Sequence, residues 1–348
     1  LVSIIVMIQM FYVAGQLSAG GTLLSGLLDI DYSTAVIAVA VVTIVYVTLG
    51  GLFADVYTSI GQTCLMMFAG VIVFLSGFFF FKGGITEVST IIAARDPLLT
   101  AVINPKSLHM YSYATVFGVA FSGQPQLLTK ILALKDPKDM KKMIWTWIVA
   151  SFCCMLVIFG GLYMLALNPD LQQPDYAVVE YVRAYFHPII STLLAVSIVA
   201  ALMSTACGLL LVMTTCIASD LFIKTLVKRK IINIPQEKAQ RIAFMMTKIL
   251  PAVFGIICVL MTLHPPQFMG VMVWIGISGV ASATLAPMLI AIIWPERINA
   301  TAAIWGAIAG EATYMVVYLF TNIEKSVMAA GAWGLIVSFA VMWLLSSN

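Results

Sequence analysis

Long apolar runs separated by short polar stretches set the pattern of this chain. A helix needs about 20 mostly apolar residues to cross a hydrocarbon core. Ten runs reach that length, over residues 1–27, 33–53, 57–81, 109–133, 142–166, 189–222, 240–263, 267–294, 300–321 and 327–346. They are too long for barrel strands and lack the alternation of two that such strands require. The expected fold is therefore all-α: a polytopic transmembrane helix bundle, with residues 1–348 as a single membrane domain. Within the two longest connections, residues 84–94 and 176–186 predict short amphipathic helices.

Composition agrees with the pattern. Of the 348 residues, 62% are hydrophobic and 9% charged. A soluble domain carries about 25% charged residues, so lipid must cover much of this surface. The expected location is the cell (inner or plasma) membrane, crossed many times. A net charge of +3 gives no ground for nucleic-acid binding, and no obligatory protein partner is evident.

Lys and Arg set the orientation, because short cytoplasmic loops are enriched in them. With the loop after Leu134 taken as cytoplasmic, 12 of the 18 basic residues fall on that side and 5 on the other. The remaining one, Lys248, lies inside a run near its cytoplasmic end, where it is expected to snorkel to the interface. Both ends of the chain then face the cytoplasm. The sequence begins with Leu1, already apolar, and reads as a fragment without its true N-terminus.

Enzyme chemistry finds no support. The sequence holds no P-loop, H-E-x-x-H or G-x-S-x-G motif, so the chain is read as a non-enzyme. Its six cysteines lie in apolar runs without a C-x-x-C pair, and its three histidines form no cluster. No cofactor is expected; an ion gradient is the natural energy source for such a bundle.

Several polar features lie within the runs. Gly123-Gln124-Pro125 interrupts the fourth. Broken helices form the sites of secondary transporters, yet this break is near the cytoplasmic end of its run, where a plain kink fits equally. The sixth run carries Ser204 and Thr205 at mid-depth. Hydroxyl oxygens suit a hard cation, but such hydroxyls also bond the carbonyl one turn back. The eighth contains Ser278 and Ser282 among glycines and alanines, which suits close packing or an unwound, ligand-facing stretch. Glu311 is the one acidic residue deep in a run, and its role is left open between function and internal hydrogen bonding.

Five stretches carry a resemblance. They are Gln16 to Leu24, Gly50 to Ala54 with Gln62, Gly123-Gln124-Pro125, Ala200 to Thr205 continuing to Ser219-Asp220-Leu221-Phe222, and Trp294 to Ala300. In this order and spacing the chain resembles the sodium:solute symporter family, especially its pantothenate and proline branches. The resemblance implies an inverted five-plus-five repeat core of the leucine-transporter-like kind, N-terminally truncated so that the chain runs from the family's fourth helix to its thirteenth. It implies sodium as coupling ion, bound by the Ala201 carbonyl and the Ser204 and Thr205 hydroxyls. A substrate cavity is implied around Phe117, Phe121, Gly123, Gln124 and Pro125, with Ser278 and Ser282 as further lining.

At positions 117 and 121 the proline branch has Trp and Tyr. At Ser59 the family pattern has an acidic residue; Asp55, one turn earlier, is a possible substitute. The function implied is sodium-coupled symport of a small organic solute into the cell, with pantothenate or another small carboxylate as first candidate. The alternative is the membrane sensor domain of a signalling protein. The partners are the solute, sodium and the lipid bilayer.

Overall fold

The structure is a computed structural model that describes residues 2–101, 110–263, 270–320 and 327–346. Every regular element among them is a helix. After a short helical entrance at residues 2–8, the long elements are α1 (Gln9–Leu28), α2 (Tyr32–Phe53) and α3 (Asp55–Phe80), followed by α4 (Gly84–Arg95). Next come α5 (Met110–Gly118), α6 (Pro125–Leu132), α7 (Met140–Met155), α8 (Ile158–Leu167) and α9 (Ala177–Tyr185). Then α10 (Pro188–Thr215) runs on as a π-helical stretch, Cys216–Val227, before α11 (Gln236–Thr262), α12 (Gly270–Ile293), α13 (Ala300–Phe320) and α14 (Val327–Leu345).

Among the described residues, eight segments are long and apolar enough to cross a membrane, α7 and α8 together forming one of them. The other two expected spans look different. The first is the 20-residue helix α1, entered through a 3-10 turn at Val6–Ile8. The fourth is split: α5, a 3-10 turn at Ala120–Gly123, then α6. Neither piece is long enough to cross alone. The amphipathic helices expected in the long connections are present as α4 and α9. Two of the three histidines, His109 and His264, lie outside the described residues.

The boundary between α2 and α3 is made by one residue. Gly51 has φ 56 and ψ −151, a conformation essentially confined to glycine. The bend brings the Tyr46 hydroxyl onto the Thr58 hydroxyl. In a straight helix those positions would be about 18 Å apart along the axis, at 1.5 Å per residue.

Two cores organise the bundle. One joins α1, α2, α10 and α12 through Val13, Leu17, Val39, Leu210, Met213 and Ile277. The other joins α3, α4, α8 and α9 around Val73, Val88, Tyr163 and Tyr181. A buried tyrosine needs a hydrogen-bond partner. Tyr163 donates to the Phe74 carbonyl at 2.9 Å, and the Tyr181 hydroxyl meets that of Ser76 at 2.7 Å. The outward faces stay apolar, as lipid contact requires: Phe79 is 86% exposed and Phe320 81%.

Polar groups close the helix ends. Arg183 on α9 forks onto Asp29 at 3.0 Å and donates to the Gly26 carbonyl at 2.9 Å, tying α9 to the end of α1. The neighbouring carboxylate raises the pKa of the Arg183 guanidinium further. The Trp294 to Ala300 stretch has a packing role. Asn299 caps α13 by accepting from the Ala302 N–H at 2.6 Å and donates to the Leu345 carbonyl at 3.1 Å, while Arg297 lies over the Trp343 ring.

Candidate ion and solute site

The middle of α10 presents three of the expected oxygens together. The Thr205 hydroxyl donates to the Ala201 carbonyl at 3.2 Å, the back-bond that any helical threonine can make. That bond uses the hydrogen and leaves the oxygen lone pairs available. Ser204 differs, because its hydroxyl lies 2.8 Å from that of Ser59 on α3. The pairing joins residues 145 positions apart, and it falls on the position where the family pattern has an acidic side chain. A cavity of about 620 Å³ between α1, α3 and α10 reaches Gln62, Ala200 and Met203. A second, of about 610 Å³, reaches Ser59 and Thr63 from the side of α7. Ser59 thus borders the second cavity, while the first passes Ala200 and Met203, neighbours of the α10 oxygens.

Asp55 is already engaged. Its carboxylate is buried and pairs with Lys130 of α6 at 3.1 Å. It does not meet Ser204; the residue that does is Ser59. Lys130 lies on α6, which starts at Pro125, and its side chain reaches Asp55 from there. Lys248 has a partner within the bundle. Its ammonium donates to the Thr48 carbonyl at 2.7 Å. The last carbonyls of a helix lack partners in the following turn, and the lysine answers one of them at the bend after Thr48.

The broken fourth run forms the other half of the site. Gly123 lies so close to α12 that a Cβ there would be 2.8 Å from a Leu285 methyl. Pro125 occupies the first turn of α6, where its missing N–H costs nothing. Gln124 is fully buried and donates to the Ile277 carbonyl at 3.1 Å. Gln9 of α1 donates to Gln124 at 3.2 Å and to Gln126 at 2.8 Å, and its own Oε1 is buried without a partner. Phe121 packs against the same core, whereas the side chain of Phe117 lies outside the described residues. Gly208, one turn beyond Ser204 and Thr205, faces the Cβ of Gln126, so the break and the α10 hydroxyls are neighbours.

Ser278 and Ser282 are not drawn into this group. Ser278 faces Met328 of α14, and Ser282 bonds the Gly279 carbonyl at 2.8 Å and meets Glu311 of α13 at 3.3 Å. Sequence reasoning passed over Gln9 and Gln126, and took Ser59 only as a missing carboxylate. For the two glutamines a signal existed, since an amide inside an apolar run needs partners it cannot find in lipid.

The sodium:solute symporter family model matches residues 1–310. The osmoregulated proline transporter OpuE of Bacillus subtilis is 25% identical over 93% of this chain and 64% of its own length. The high-affinity proline transporter PutP of the same organism is 26% identical over 88% and 64%. The sodium/pantothenate symporter of Haemophilus influenzae is 22% identical over 86% and 61%. The chain thus spans less than two thirds of these relatives' length. Among solved structures, the substrate-bound outward-open state of a Na+-coupled sialic acid symporter superposes with a TM-score of 0.71, over 99% of this chain and 73% of that one, at 16% identity. That likeness shows the fold, the inverted-repeat bundle of that symporter. Apolar spans and family match agree: the chain is a multi-pass membrane protein of the sodium:solute symporter family.

Proposed function

We propose that the protein carries out secondary active symport, moving a small organic solute into the cell with sodium. The observation that carries this reading is the hydroxyl pair of Ser204, midway along α10, and Ser59, near the start of α3, one turn from where α10 meets the broken fourth run. Ser204 and Thr205 offer hydroxyl oxygens and Ala201 a carbonyl, hard ligands suited to sodium. The solute binds beside them, against Phe121 and the Gly123-Gln124-Pro125 break, with Phe117 on the preceding helix. Ion and solute then favour each other's binding, and the coupling is reciprocal. A membrane potential supplies about 2.3 kcal/mol per charge per 100 mV.

For the solute, a small carboxylate is the reading, with pantothenate as first candidate. Relatives named for proline and for pantothenate both match the chain. The two phenylalanines give the cavity wall no polar handle where the proline branch has Trp and Tyr, which favours pantothenate over proline. Competition between labelled pantothenate and unlabelled proline, in vesicles carrying the full-length protein, tests the choice. Displacement by proline at equal concentration would reverse it.

A further inference from the structure

A second polar cluster lies across the bundle, between α12, α13 and α14, and the proposed symport site does not use it. Its centre is Glu311, in the middle of α13. One carboxylate oxygen takes the Ser282 hydroxyl at 3.3 Å. The other, Oε1, is buried with no partner. The hydroxyls of Tyr314 and Ser338 are likewise buried without partners, on residues only 1% and 0% exposed. Glycines draw these groups together. A Cβ on Gly310 would be 2.8 Å from the Ser338 Cβ and 2.1 Å from the Ser282 carbonyl oxygen. A Cβ on Gly334 would be 2.7 Å from the Ser282 Cβ and 3.2 Å from that of Tyr314.

No cation answers the carboxylate, since among the described residues α12, α13 and α14 contain no Lys, Arg or His. A carboxylate left bare at this depth is costly, and three unpartnered buried oxygens add to the cost. A proton would satisfy one oxygen. A small alkali cation beside the Glu311–Ser282 pair would draw on the carboxylate and the Ser282 oxygen, with the unpartnered Ser338 and Tyr314 hydroxyls as the further ligands the site requires. We propose that Glu311, Ser282, Tyr314 and Ser338 form a sodium site separate from the α10 hydroxyls. The glycines hold it closed, so the ion contributes to the seam joining α13 and α14 to the rest of the bundle.

The test is equilibrium binding of radioactive sodium to the full-length protein in nanodiscs, in a Ser204→Ala/Thr205→Ala background that removes the α10 hydroxyls. One saturable sodium site is expected to remain. Glu311→Gln should abolish it, and Ser338→Ala, a smaller change within the same packing, should weaken it several-fold. Size-exclusion profiles of each variant control for folding. Sodium binding unchanged by both substitutions would overturn the proposal. So would absence of any site in the double-variant background, with an infrared carboxylic-acid band that Glu311→Gln removes, since that result makes the group a proton holder. Failure of the α10 assignment alone would read differently, as double-variant and unaltered proteins binding sodium alike.

Discussion

At the scale of single residues, the candidate ion site depends on contacts between residues far apart in sequence. Ser204 and Thr205 could be picked out because their segment matches a family motif; composition alone favoured a plain back-bond to the carbonyl one turn earlier. Their partner could not: Ser59 had registered as a lost carboxylate, and only the fold brings its hydroxyl to 2.8 Å from Ser204. Ser204→Ala should raise the sodium concentration for half-maximal uptake by about tenfold, corresponding to about 1.4 kcal/mol. Ser59→Asp should lower it, because a carboxylate beside the ion strengthens binding in a site shielded from water. Sodium titrations of uptake in membrane vesicles check both; an unchanged half-saturation in the two variants would remove Ser59 and Ser204 from the ion path. The Asp55–Lys130 pair makes a separate prediction. Lys130→Met strands a buried carboxylate, with a loss of about 3 kcal/mol at most, moderated by the half-buried position of the lysine. Adding Asp55→Asn should recover much of it. Thermal unfolding in detergent measures the difference, and equal melting of single and double variants would argue against the pairing.

Among the elements, spans were readable and breaks were only partly so. Backbone groups in lipid must be satisfied internally, so a run such as 300–321 can hardly be anything but a helix, and α13 spans Ala300–Phe320. The Gly-Gln-Pro interruption was visible from composition, with its place near the cytoplasmic end of the run, but its partners were not. Those partners are Leu285, which Gly123 approaches, and the three-glutamine cluster, both tertiary contacts. The Gly50-Gly51 pair was visible as a motif, while its bend and the Lys248 bond to the Thr48 carbonyl needed the neighbouring helix α11. Gly51→Ala should cost about 1–3 kcal/mol, because φ 56 with ψ −151 lies where an alanine is strained. Proteolysis of the α2–α3 connection in oriented vesicles should accelerate in this variant. Cleavage at the unaltered rate would mean that the bend is not held by the glycine.

For the whole molecule, family membership and fold rest on agreement across the length of the chain rather than on one motif. The family model runs through residues 1–310, and the superposed symporter covers 99% of the chain. Substrate was the least legible property in the sequence, because it depends on a cavity lined by several helices and on single replacements such as Phe for Tyr. The first measurement is therefore transport by the full-length protein in proteoliposomes, with labelled pantothenate and an inward gradient of either sodium or potassium. Sodium-coupled symport through the α10 hydroxyls predicts uptake that requires the sodium gradient and is lost in Ser204→Ala/Thr205→Ala. Uptake that proceeds equally on potassium, or that the double variant leaves untouched, would contradict it.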